Sequence, residues 1–246
     1  MMTDKTAQIY RMVMPDHTCP YGVKAKWLLT RRGYRVDDHL LTTRAETDAF
    51  KHAHDVATTP QVFIGGQRIG GYTELRAYLG RPLPAAGATS YVPVLVVFTI
   101  SALLALATSF LAFGSPFTGQ AGEWFVAFAM AILAMLKLQD LEKFSSMFLG
   151  YDLLARRFVP YAYAYPFLEG GAGVLMAAHA LDWLSIPVAL VIGTIGAASV
   201  FYAVYVQKRE IKCACVGGSS NVPLGFVSLT ENLAMVGMAL WMLFNH

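Results

Sequence analysis

Residues 58–75 read TTPQVFIGGQRIGGYTEL, and this stretch decides the first half of the fold. "QVFI" and "QRIG" are short β-prone runs joined by Gly65-Gly66, a pair suited to the positive φ of a tight hairpin turn. "YTELRAYLG" then reads as a helix. Working back along the chain, "FKHAHDV" reads as a helix and Tyr34–Leu41 as a strand. "VKAKWLLTRRG" reads as a helix that begins beside Cys19 and ends at Gly33, and residues 8–14, "QIYRMVM", read as the first strand. A strand–helix–strand–helix–hairpin–helix order predicts an α/β sheet. Where the first strand meets the first helix stands HTCPYG, residues 17–22. Disulfide exchange needs one thiol to attack and a second to resolve the mixed disulfide. The position for a second cysteine in this loop is Gly22.

"TCPYG", followed about forty residues later by "TTPQVFIGGQRIGGYTEL", resembles a glutaredoxin of the thioredoxin fold over roughly residues 7–80. The resemblance implies that Cys19 is a nucleophile at a helix N-terminus and that Thr59-Pro60 is a cis-proline loop. It also implies that Tyr21, Thr59, Pro60, Gly70, Gly71, Tyr72 and Thr73 line a groove for glutathione, the implied cosubstrate. These roles have a physical basis. A helix N-terminus stabilises a thiolate through its dipole and free N–H groups. A cis X-Pro bond exposes backbone groups that can pair with an extended peptide. Two departures stand out. Gly22 replaces the resolving cysteine, and the lysine that commonly precedes the motif is missing from "MPDHTCPYG". His17 and Lys24 are the candidate replacement cations, or else solvated surface groups.

The remainder of the chain is of another kind. Of 246 residues, 56 % are hydrophobic and 14 % charged, with mean hydropathy +0.47, too apolar for an ordinary soluble protein. Charge concentrates in residues 1–80. We expect a soluble domain over 1–80, a Pro/Gly/Ala-rich linker over 81–90 and an all-α membrane bundle over 91–246. Five apolar stretches approach the ~20 residues needed to span a bilayer: Tyr91–Phe113, Gly122–Leu138, Val159–Leu181, Leu184–Val206 and Val222–Phe244. "GSPFTGQAGE" and "HALDW" carry no Lys or Arg. Lys137, Lys143, Arg156 and Arg157 fall between the second and third stretches, and Lys208, Arg209 and Lys212 between the fourth and fifth. The positive-inside rule then predicts a multi-pass protein of a bacterial-type inner membrane, N-terminal domain in the cytoplasm and C-terminus outside. No cleavable signal peptide is visible in "MMTDKTAQIY". A net charge of +3 argues against nucleic acid as a partner.

"KCACVGGSSNVPLGFVSLTENLAM" carries Cys213 and Cys215 in the last inner loop, and "KLQDLEKFSSMFLGYDLLARRFVPYAYAYPFLEGGAG" precedes it. Together they resemble the MauE/DoxX family of redox-associated membrane proteins over about residues 91–246. That resemblance implies a four-helix core with one helix extra, and thiol–disulfide traffic near a membrane. In an extended strand the two side chains would point to opposite faces. Gly217, Gly218 and the Pro223-Leu224-Gly225 corner supply the turn that would bring them together. The connector GRPLPAAGATSY, about 12 residues long, reaches up to ~40 Å when extended, so the thiol missing from position 22 is expected in this loop.

Glu169 and the pair Glu231-Asn232 lie inside apolar stretches. A carboxylate at that depth costs roughly 2.5 kcal/mol or more and should face the bundle interior with a partner. Lys137, Tyr161, Tyr163 and Tyr165 are the candidates. Either these groups line a substrate cavity or proton path, or they tie helices together. Asp140, Glu142, Asp152, Arg156 and Arg157 are expected at the inner surface. His52 and His54 are two apart and share no helix face, so no metal is expected there.

Two function classes follow. The first is a membrane-anchored, glutathione-linked thiol–disulfide oxidoreductase, in which Cys19 exchanges disulfides with Cys213/Cys215 or with a glutathionylated protein or small-molecule substrate. The second is a transporter of a soft metal ion such as Hg or Cu, held by Cys213 and Cys215, or of glutathione and thiol conjugates.

Overall fold

The computed structural model describes residues 5–85, 88–211, 213 and 222–245. The chain divides into two units, Met1–Ala86 and Gly87–His246.

In the first unit, strand β1 (Thr6–Met14) runs through the middle of the sheet. It pairs in parallel with β3 (Arg35–Leu41) on one side and antiparallel with β4 (Gln61–Ile64) on the other. Strand β5 (Gln67–Gly70) closes the hairpin against β4, giving the order β3-β1-β4-β5. Alternate residues of β1, Ala7 and Ile9, enter a core with Ala25, Leu28, Leu29, Val62 and Leu75. Helices α1 (Pro20–Arg31), α2 (Arg44–His54) and α3 (Tyr72–Tyr78) complete this unit. Thr43 and Glu46 open α2 with a reciprocal capping box. One element is absent from the sequence reading. β2 (His17–Thr18) folds back on the end of β1, pairing Met14 with His17 and Val13 with Thr18. Two residues are too few to show periodicity, yet this turn is what delivers Cys19 to the start of α1.

The second unit holds α4 (Val92–Phe113), α5 (Gly119–Leu138), α6 (Leu141–Leu149), α7 (Val159–Ala177), α8 (Asp182–Phe201) and α9 (Phe226–Asn245). Helix α8 continues into one wide π turn, Tyr202–Val206. Among the described residues four helices are long and apolar enough to cross a membrane: α4, α5, α8 with its π turn, and α9. The sequence reading expected five. The difference lies in α7, whose apolar character is diluted by Glu169, Pro160, Pro166, three tyrosines and three glycines. Its 19 residues nevertheless extend about 28 Å.

Helix α7 runs antiparallel along the whole of α5. Trp124 Nε1 donates to Ala177 O at 2.9 Å at one end, and Lys137 binds Glu169 towards the other. Between them, a Cβ on Gly173 would stand 2.8 Å from Ala127 O and 2.9 Å from Met130 Cβ. Glycine is what lets these backbones approach so closely. Ser109 Oγ meets Thr118 Oγ1 at 2.7 Å, so α4 starts at the end of the unit where α5 finishes. Helix α9 also opposes α5: Glu231 binds Lys137, while Trp241 Nε1 donates to Glu123 Oε1 at 2.8 Å. The start of α4, the end of α5 and the start of α9 therefore share one end of the helical unit.

Candidate functional site

In the first unit, Cys19 is the residue preceding α1, with Pro20 at the first helical position. Its N–H donates to Met12 O at 3.1 Å, tying it to β1. It is a free, buried thiol, and its Sγ lies 3.9 Å from Thr59 O. The Thr59-Pro60 bond is cis, and no acidic residue occupies the first turn of α1. The remaining residues of the expected groove surround this point. Tyr21 is exposed, with its ring 6.1 Å from that of Tyr72. Gly71 packs against the cis-proline loop, where a Cβ would sit 3.4 Å from Pro60 O. Gly70 ends β5 and Thr73 lies exposed in α3.

A residue that the sequence reading passed over lies beneath this loop. Gly22 is buried, and a Cβ there would stand 2.8 Å from Arg11 Cβ. The arginine stem fills the ground beside the position where a dithiol loop carries its second cysteine. Arg11 donates two hydrogen bonds to Asp38, at 2.7 and 2.8 Å, and Lys26 adds a third at 2.7 Å. The hydrogen bond to Asp38 raises the affinity of Arg11 for its proton. Asp38 is held below the usual carboxylate range, first by Arg11 and then by Lys26. Of the cations weighed from sequence, His17 is exposed on β2 and Lys24 sits over the Tyr21 ring at 5.7 Å. Arg11 carried no sequence signal. Its placement depends on the β1–β3 pairing, which sets Arg11 opposite Leu40, two residues from Asp38.

In the second unit, Cys213 is fully buried and disulfide-bonded. Cys215 lies outside the described residues. The Cys213 N–H donates to Val222 O and the Leu224 N–H to Ile211 O, both at 2.7 Å. Ser228 Oγ, in the first turn of α9, donates to Cys213 Sγ at 3.0 Å. An aqueous loop was expected here, but Cys213 belongs to the core, because Ile211 and Cys213 are hydrogen-bonded to Leu224 and Val222 and the Cys213 side chain meets Ser228 of α9.

Glu169, expected to need a partner, has Lys137: Nζ lies 2.7 Å from Oε1 and 2.6 Å from Oε2. The same ammonium reaches Glu231 Oε1 at 3.1 Å and stands 5.4 Å from the centre of the Tyr165 ring. Asn232 is buried beside them and donates to Ser228 O at 2.7 Å. Tyr163, another candidate partner, instead donates to Glu142 at 3.1 Å. Lys137 had been counted as a loop charge; it is buried in the last turn of α5. Asp152, expected at the surface, is also buried. It accepts from Leu154 N, Ala155 N and Ser199 Oγ at 3.0, 2.8 and 2.9 Å, while burial pushes its carboxyl up. Arg156 and Arg209 both donate to Gly150 O, stabilising the carbonyl end of α6. Among the described residues no group of three or more His, Cys, Asp or Glu stands ready to hold a metal ion.

Known proteins resemble the two units separately. Over 60 residues the chain is 38 % identical to the hybrid peroxiredoxin hyPrx5 of Haemophilus influenzae, covering 24 % of this chain and 25 % of that protein. The chain therefore spans about a quarter of that relative's length. The crystal structure of glutaredoxin 1 from Francisella tularensis complexed with cacodylate is 27 % identical, with a TM-score of 0.28 over 31 % of this chain and 93 % of that one. Residues 7–69 match the glutaredoxin family. Residues 115–245 match the family described as methylamine utilisation protein MauE. With more than half of its length so matched, the chain belongs to the MauE family and carries an N-terminal glutaredoxin domain.

Proposed function

We propose that this protein is a membrane-anchored, glutathione-linked thiol–disulfide oxidoreductase in which Cys19 exchanges disulfides with a Cys213/Cys215 pair or with a glutathionylated substrate. A glutaredoxin domain implies thiol–disulfide redox work, with glutathione as cosubstrate and Tyr21, the Thr59-Pro60 loop and Gly70–Thr73 as its groove. The observation that carries the reading is an asymmetry of redox state. Cys19 is a free thiol at a helix N-terminus with no second thiol in its loop, whereas Cys213 is already disulfide-bonded. One has the form of an attacker and the other of its target. A soft-metal carrier would instead require Cys213 as a free thiolate.

The helical unit supports a shared compartment. Helix α7 lies alongside α5 over the same depth, so we take it as a fifth crossing. The linker then enters at the end that also holds Cys213. Lys143, Arg156, Arg157, Lys208 and Arg209 belong to that end, whereas 114–123 and 178–183 at the other carry no Lys or Arg. On the positive-inside rule the Cys213 end faces the cytoplasm and the C-terminus faces out.

Because Cys213 is buried, attack falls on its disulfide partner, which we take to be Cys215. The Cys19 thiolate bonds to that sulfur, the S–S bond breaks, and Cys213 leaves with the electron pair. Glutathione then resolves the mixed disulfide. The test is to trap it in membranes. Cys213→Ser removes the thiol that reverses the attack, and a Cys19–Cys215 cross-link is expected by peptide mass spectrometry. Failure to form it under mild oxidation, together with glutathione-dependent reduction that survives Cys19→Ser, would refute the reading.

A further inference from the structure

A thiolate released at Cys213 would stand in a fully buried site, where an uncompensated charge is costly. Ser228 gives it one hydrogen bond but no charge. The first ionisable groups along the same face of α9 are one helical turn away. Ser228 and Glu231 are three residues apart and both buried, and such positions have Cβ atoms about 5–6 Å apart. Glu231 belongs to the cluster in which one ammonium, Lys137, serves two carboxyl groups.

That cluster is one positive charge short. Both Glu169 oxygens and Glu231 Oε1 lie within 3.1 Å of the one Lys137 Nζ, and two carboxyl groups crowded onto a single buried ammonium favour a proton on one of them. A second, independent observation points to a missing donor at the same place. Asn232 Oδ1 is buried with no hydrogen-bond partner. It borders a cavity with Lys137, Glu231, Tyr151 and Tyr165, with room for about one water at most. The groups facing the cluster are Lys137 from α5, Tyr161, Tyr165 and Glu169 from α7, Glu231 and Asn232 from α9, and Tyr151 beyond α6; the neighbouring Asp152 is bound instead to Leu154 N, Ala155 N and Ser199 Oγ. Helix α8 contributes Gly196 and Val200, neither of them ionisable.

We propose that the Lys137–Glu169–Glu231 cluster is a buried one-proton store whose proton neutralises the Cys213 thiolate when its disulfide is attacked. The inference rests on the exchange reading above and supplies its missing acid. The steps balance. The incoming thiolate forms a new S–S bond with the partner sulfur, the old bond breaks, and Cys213 leaves as thiolate. The proton shared by the two glutamates passes to Cys213 Sγ, leaving the cluster with both carboxylates ionised beside Lys137. Water restores the proton before the next exchange. Lys137 holds the pair together and Ser228 orients the sulfur.

The test uses the full chain bearing Cys19→Ser, so that only an added thiol, dithiothreitol, attacks the Cys213 disulfide. Glu231→Gln and Glu169→Gln each leave one Lys–Glu pair, a neutral combination that retains the fold. Each is expected to slow reduction tenfold or more, with the deficit widening as pH rises. Infrared difference spectra should show a protonated carboxyl in the oxidised protein at neutral pH. It should be lost transiently on reduction and be absent from both variants. Wild-type rates in both variants, or no protonated carboxyl in the parent, would overturn the proton store. A disulfide that no thiol reduces would overturn the exchange reading itself, and the proton transfer with it.

Discussion

Cys19 and Cys213 are built into the protein by opposite means. The surroundings of Cys19 are largely backbone: the end of a hairpin, the first turn of a helix and the carbonyl of Thr59. Those of Cys213 are the carbonyl of Val222 and a serine on α9, with a buried ionic cluster one turn further on, joined by residues 32 and 94 positions apart. A backbone site forms wherever its fold forms and tolerates many side chains. A side-chain site in a low-dielectric interior depends on every member being present. The first kind suits a thiol that must meet varied partners. The second suits one that meets a single partner and must be kept from water.

The comparison can be broken at several points. The largest effect is expected at the nucleophile: Cys19→Ser should lower glutathione-dependent reduction of a mixed disulfide at least about a hundredfold, leaving the thermal transition of the helical unit in place. Next comes the interior cation. Lys137→Met strands two carboxyl groups and should cost about 3–5 kcal/mol, read by denaturant titration in detergent, whereas Glu169→Gln should cost far less. A smaller effect is expected beneath the Cys19 loop. Gly22→Cys drives a Cβ into Arg11 and should cost about 1–3 kcal/mol, and alkylation should find both thiols free. Adding Arg11→Gly, which removes the Cβ that stands in the way, should let the loop disulfide form. The smallest concerns acid. Asp38 binds its proton more weakly in the folded protein, mainly through Arg11. Its contribution is therefore present above the ordinary carboxylate value of about 3.9 and lost as pH falls through its lower folded value. Hydrogen exchange of the β1 and β3 amides should show that loss, and Asp38→Asn should remove it.

These differences explain what could be read from residues alone. Pro20 after Cys19, the Thr59-Pro60 pair and Gly65-Gly66 act within a few positions of themselves, so strand, helix and hairpin were legible. Lys137 appeared among four candidate partners for Glu169 because a buried carboxylate requires one. Its second contact, to Glu231, was not legible, since nothing local sets the register of α9 against α5. Arg11 was missed for the same reason. Helix α7 was counted with the apolar stretches, yet its glycines and Glu169 serve packing and charge, and by hydropathy it stands apart from the other four.

The π turn at Tyr202–Val206 has a consequence for length variation in this chain. A π turn holds one residue more than an α turn while both flanks keep their places. Removing a single residue there would restore an ordinary helix, with Val200 still facing inward upstream and Arg209 still latched to Gly150 downstream. The same deletion in the middle of α8 would rotate everything after it by about 100° and sever that latch. Helix α8 thus has one site of slack, placed just ahead of the segment that carries the buried sulfur.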